Sequence, residues 1–167
     1  VLGIDPGLTR CGYAVIHSSG ATVRALALGV IRTPPTDALP QRLAALQAER
    51  VQLIAEYRPD SVAVEQVVFQ VNVRTAMSVG QASGLALAEA AARGCDVAQY
   101  TPNQVKDAVA GWGGAAKEQV QKMVQARLRL ASPPQPADAA DAAALALCHL
   151  ASAPMRAQIA AALARRA

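Results

Sequence analysis

VLGIDPGLTRCGY (residues 1–13) is the stretch from which the fold of this chain is read. Residues 1–4 are a short apolar run of the kind that forms a buried strand. The run ends on a carboxylate, Asp5, followed by Pro6 and Gly7. Proline lacks a backbone donor and fixes φ, whereas glycine accepts positive φ, so the strand must stop and turn here. Asp5 is thereby placed at the rim of a rigid core. An Asp-Pro-Gly triplet is by itself an ordinary turn, and a functional reading needs the same device elsewhere. The chain repeats it: the apolar run at residues 61–64 leads straight into a second acid, Glu65.

The 167 residues are 53% hydrophobic and 3% aromatic, with alanine supplying much of the apolar share. That balance excludes a disordered chain and predicts one domain whose core is closely packed and rich in helix. No apolar run reaches the ~18 residues of a membrane span, and none has the form of a signal peptide. Cys11, Cys95 and Cys148 lack metal-ligand spacing and are expected to be reduced core residues of a cytoplasmic protein. The formal charge of +4 comes from 16 Lys and Arg against 12 Asp and Glu. If four of those acids are committed to cations, eight face 16 bases, a footprint that suits a polyanion.

Outward from the opening stretch, residues 12–17 and 21–33 read as two further strands of a meander, joined by the turn chemistry of Ser18, Ser19 and Gly20. Leu43, Leu46, Leu53, Ile54 and Tyr57 recur near 3.6 residues and predict a helix over 41–57, ended by Pro59. Residues 72–93 form a long helix that is apolar almost all round and crowded with small side chains. Such a helix must be covered on more than one side, by its own chain or by a second subunit. A fifth strand at 95–100, helices over 103–110, 115–130 and 138–150, and an alanine-rich, weakly specified tail complete the chain. The expected fold class is α/β, a mixed five-stranded sheet with helices on both faces.

Two strands ending in lone acids bring Asp5 and Glu65 within a few ångströms if those strands are neighbours, a costly pairing of like charges. Asp138 and Asp141 are three apart and share one face of the first turn of a helix. One helix cap explains one aspartate and not comfortably both. Four converging carboxylates without His or Cys partners select Mg²⁺ or Mn²⁺ over zinc. A two-metal carboxylate site is the usual machinery for attack of water on a phosphodiester. Lys117 fits as a positive charge beside the developing anion. His17 and His149 have no acid to pair with and are taken as structural.

The segments GIDPGLTRCGYAV, VEQV, the small-residue helix with VGQASG, VKDAVAGWGGAAKEQVQKMV and PQPADAADAAALAL, in that order, resemble the RuvC family of Holliday-junction resolvases. The resemblance implies an RNase H-like nuclease domain, taken over residues 1–152; the tail at 153–167, which has no counterpart in the family, is read as a C-terminal helical tail of the same domain. It implies a homodimer that nicks four-way DNA junctions in recombination and repair, two Mg²⁺ ions per site with Mn²⁺ as a substitute, and a branch-migration complex as partner. The family's acids fall on Asp5, Glu65, Asp138 and Asp141, and its flanking lysines on Lys106 and Lys117. The DNA contacts are expected from these lysines with Lys122, Arg74, Asn72 and Arg10. Many members carry an aromatic where this chain has Val68, so Phe69 is expected either to stack on an unpaired base in its place or, as the chain's one phenylalanine, to be buried in the core. The helix over 72–93 becomes the dimer interface through Met77, Gly80, Gln81, Gly84 and Leu85.

Two rival readings remain. Asp5, Gly7, Thr9 and Gly12 also fit the phosphate loop of actin-like ATPases, which need two lobes and about twice this length. The other is a catalytically inactive junction-binding module of the same fold, which four intact acids disfavour.

Overall fold

The computed structural model describes residues 1–67 and 73–165. Its elements are β1 (Leu2–Asp5), β2 (Arg10–Ser19), β3 (Thr22–Arg32), α1 (Leu39–Tyr57), β4 (Ser61–Glu65), α2 (Val73–Ala92), β5 (Asp96–Tyr100), α3 (Pro102–Ala110), α4 (Lys117–Leu128) and α5 (Ala137–Ala164). The five strands form one sheet in the order β3-β2-β1-β4-β5. The first three are an antiparallel meander, and β1, β4 and β5 run parallel. This is the mixed sheet with helices on both faces that the sequence predicts. No helix among the described residues is long and apolar enough to cross a membrane.

Strand alternation divides the side chains between two cores. Leu2, Ile4, Val62 and Val64 turn to the face covered by α1 and α2. Ala14, Ala63 and Ala98 turn to the other face, where α3, α4 and α5 supply Val109, Val124 and Leu145. Gly3 and Asp5 alternate with Leu2 and Ile4 and therefore face α5, as Glu65 does beyond Ala63.

Helix α5 lies unusually close to the sheet. A Cβ on Gly3 would run into the carbonyl oxygen of Ala142, and one on Gly12 into the carbonyl oxygen of Asp138. The helix answers in kind, presenting Ala139, Ala142, Ala143 and Ala146, all fully buried. Glycine inside a strand is costly in entropy and packs nothing, so its presence here marks the approach of a second backbone.

On the opposite face, the guanidinium of Arg50 on α1 donates to the carboxylate of Glu89 on α2 at 3.0 Å. Both side chains are buried, so removal of either would strand a charge in the core at a cost of ~3–5 kcal/mol. Ala82, Ala86 and Ala90 bury the inner side of α2. Its outer side is uncovered within one subunit: Met77 is 61% exposed, Gln81 is exposed, and nothing approaches the Cβ positions of Gly80 or Gly84.

Helix α5 runs past residue 150, through Pro154, to Ala164, whereas the sequence pattern ends its last firm helix at 150. The alanine-rich composition favours continued helix, and a single interior proline was not enough to stop it. Arg156 also ties this segment to the sheet, donating to both carboxylate oxygens of Asp96 at 2.9 and 3.1 Å. Phe69 and Asn72, both expected at the DNA, lie outside the described residues, as does the side chain of Arg74.

Gly3→Ala should force α5 off the sheet and destabilise the protein by about 1–3 kcal/mol or more, measured by urea denaturation. A variant as stable as the wild type would show that α5 can withdraw at no cost.

Candidate active site

Ile4 pairs with Val64 in the parallel ladder, so the next residues, Asp5 and Glu65, stand side by side where β1 and β4 end. Asp5 also pairs with Gly12 across β2, and Gly12 is where the Asp138 backbone touches down. The first turns of α5 are thus delivered beside the two strand-end acids. Asp5, Glu65 and Asp141 line one cavity of about 350 Å³ together with Lys106 from α3 and Lys117 from the start of α4. Three carboxylates from three separate elements meet two ammonium groups.

The clustering has a measurable electrostatic cost. The Asp5 carboxyl is pushed up to about 7, first by burial and then by the negative charges of Glu65, Asp141 and Asp138. Glu65 is raised by the same causes, burial first and Asp141 next. Two cations relieve the other pair. Lys117 Nζ donates to Asp141 Oδ2 at 2.6 Å, and this bond holds the lysine above its ordinary value. Arg10 donates to Asp138 Oδ2 through Nε at 3.0 Å and Nη2 at 2.5 Å, which lowers the Asp138 carboxyl.

The structure therefore brings Asp5, Glu65, Asp141, Lys106 and Lys117 to one cavity and sets Asp138 beside it, turned to Arg10. Lys122 is exposed on α4 and does not line the cavity. His149 is structural, its Nδ1 bonded to the hydroxyl of Tyr100 at 3.0 Å inside the core. Sequence reading missed the Arg10–Asp138 pair, which joins residues 128 apart in the chain and leaves no local signal. It also missed the role of Gly3 and Gly12, although isolated glycines in apolar strands are a recognisable mark of close backbone approach.

The donor set fits a hard divalent cation by chemistry, because it consists of carboxylate oxygens alone. Two positive charges would also offset the repulsion that raises Asp5 and Glu65. Among the described residues, no three carboxylate, imidazole or thiol groups are grouped to hold an ion as they stand. Asp138 and Asp141 are each drawn to a cationic side chain, so the fit is one of donor type and charge.

Comparison with known proteins finds relatives along most of the chain. Residues 1–149 match the family model described as crossover junction endodeoxyribonuclease RuvC. The enzyme of that name from Salinispora arenicola is 52% identical over 163 residues, covering 97% of this chain and 93% of its own. A solved structure of Thermus thermophilus RuvC in complex with a Holliday junction substrate superposes with a TM-score of 0.87 at 39% identity. It covers 92% of this chain and 94% of that one. The yeast mitochondrial Holliday junction resolvase shares the fold at 15% identity, with a TM-score of 0.67 over 90% of this chain and 77% of its own.

The raised Asp5 carboxyl makes stability depend on pH. Its contribution is fully present below the ordinary value of 3.8 and is lost as pH rises through about 7. In EDTA at pH 8, Asp5→Asn should therefore melt several degrees above the wild type, and the gap should close as pH falls towards 4. Equal melting temperatures at pH 8 would mean that ionised Asp5 costs the fold nothing.

Proposed function

The chain belongs to the RuvC family of crossover junction endodeoxyribonucleases, and on that premise we propose that it resolves four-way (Holliday) DNA junctions in recombination and repair by paired nicking. The observation that carries this reading is the meeting of Asp5, Glu65 and Asp141 with Lys106 and Lys117 on one cavity. The actin-like alternative is not favoured, since the family match runs over residues 1–149. A non-catalytic junction-binding module is not favoured either, because such a module gains nothing from acids that repel one another.

Asp5, Glu65, Asp141 and Asp138 are the proposed metal ligands, two from strand ends and two from the start of α5. Two Mg²⁺ ions, or Mn²⁺ in their place, would supply an activated water and stabilise the leaving oxygen. The chain's own part is to hold the carboxylates on rigid elements. Asp5 and Glu65 are fixed by the β1–β4 ladder, and Asp141 is oriented by its bond to Lys117. Lys117 and Lys106 place positive charge where the phosphate must lie, so they bind substrate and stabilise the charge that builds on it during attack. Arg10, Lys122, Arg74, Asn72 and Phe69 are the proposed further DNA contacts.

A four-way junction presents two strands to be cut symmetrically, which a two-fold homodimer serves with two equivalent sites. The uncovered outer side of α2, with Met77, Gly80, Gln81, Gly84 and Leu85, supports this helix as the interface. A branch-migration complex is the proposed upstream partner. The free Cys11, Cys95 and Cys148 accord with a cytoplasmic setting.

The deciding assay compares a four-way junction with plain duplex, each with and without Mg²⁺. Symmetric nicks in the junction alone, abolished by EDTA, are expected, and metal-independent cutting or equal cutting of duplex would reject the reading. Asp5→Asn and Asp141→Asn should lower the cleavage rate at least a thousandfold, on the order of ~4 kcal/mol of barrier, while junction binding persists. Loss of binding in parallel would make the acids structural.

Gly84→Leu meets open space within the subunit, so its fold should survive while the dimer dissociates in sedimentation. A monomeric wild type at micromolar concentration would remove α2 as an interface.

A further inference from the structure

Lys106 and Lys117, the cations that line the cavity, lie on one flank of it. Lys106 belongs to α3, which follows β5 at one edge of the sheet. At the other edge, β2 and β3 meet in a second group of charges. Arg10 and Arg32 are direct partners across the antiparallel ladder, so they share a face. Like charges placed opposite one another in a ladder destabilise it. Arg10 is offset by Asp138, but among the described residues the exposed Arg32 has no acidic partner.

A third arginine completes the group. Arg42 on α1 donates from Nε to Thr33 Oγ1 at 2.9 Å and from Nη2 to Thr9 Oγ1 at 2.6 Å. Hydroxyl partners orient a guanidinium without neutralising it. Thr33 is itself buried and anchored, donating to the carbonyl oxygen of Leu8 at 2.6 Å. Thr9 and Thr33 line an open cleft of about 400 Å³ together with Arg10, Arg32, Pro34 and Pro35, and Arg42 braces its wall through the two threonines. Arg10 and Arg32 face each other across the ladder with a single carboxylate, Asp138, to offset them, an arrangement that brings folding no gain.

We propose that Arg32 and Arg10, in a cleft whose threonines Arg42 braces, form a phosphate-binding site that grips the DNA backbone on the β3 side of the active site. The proposal rests on the junction-resolving reading above and adds a binding site to it. Guanidinium groups match the geometry of phosphate oxygens, which favours an arginine cluster for this task. Proximity identifies the ligand: Arg10 lines the cleft, and its partner Asp138 stands one helical turn from Asp141 in the cavity, so a strand lying in the cavity is led towards the cleft. The active site is then flanked by cations on both sides, with the scissile phosphate between them.

The test is binding of a labelled four-way junction to the full chain in EDTA, followed by anisotropy across a potassium chloride series. Arg32→Ala should weaken binding several-fold at physiological salt and lower the log–log salt slope by about 0.9, the loss of one phosphate contact. Arg32→Lys should keep the slope, since the charge remains. Arg24→Ala, exposed at the far end of β3, should change neither quantity. An unchanged slope in Arg32→Ala, or an equal loss in Arg24→Ala, overturns the cleft while leaving the junction-resolving reading intact. A wild type that binds no four-way junction overturns both.

Discussion

The contact of the α5 backbone with Gly3 and Gly12 is the constraint on which the rest of this structure depends. Without side chains at those two positions, a helix can lie directly against the middle of the sheet. Everything in the site is measured from that contact. Asp5 is two residues beyond Gly3 and pairs with Gly12, so the helix that rests on both glycines must begin beside it. The alanines of α5 continue the same logic along the helix, keeping its axis close while burying completely. A pair of acids on α5 thereby reaches a pair of acids on the sheet, although neither pair alone makes a site.

Convergence on this scale works against stability. Four carboxylates lie near one another, two of them raised by burial and mutual repulsion and two engaged by Arg10 and Lys117. A chain selected for stability alone would dilute that charge. Placing unfavourable groups together on rigid elements is characteristic of a functional site, and the surrounding core must absorb the cost. It does so from both faces. The alanine- and valine-rich core under α3, α4 and α5 backs the strand ends, and the second core under α1 and α2 is braced by the buried Arg50–Glu89 pair.

The two faces also divide the work. One carries the site and its cations; the other carries α2, whose inner side seals the core and whose outer side is bare. Small residues serve both sides of that helix for different reasons. Ala82, Ala86 and Ala90 allow close packing on the sheet, while nothing approaches the Cβ positions of Gly80 and Gly84 on the outer side. Positive charge stands on two sides of the carboxylates, Lys106 and Lys117 in the cavity and Arg10 on Asp138.

By itself the sequence determined the strands, the helices and their order, because periodicity and the Pro and Gly breaks are local signals carried by adjacent residues. It also singled out the four acids as candidates, since each stands at a visible break: Asp5 and Glu65 end apolar runs, and Asp138 and Asp141 open a helix after a proline-rich bend. Only the tertiary structure decided how those acids meet. That Ile4 aligns with Val64, and so Asp5 with Glu65, is a matter of strand register, which no segment encodes alone. That Arg10 takes Asp138, Lys117 takes Asp141 and Arg42 spans two threonines depends on side chains brought together from distant parts of the chain. The helical run past Pro154 follows from alanine-rich composition, and only its docking, where Arg156 finds Asp96, belongs to three dimensions. Local signals name the elements and their chemistry; the distances between charges exist only once the chain is packed.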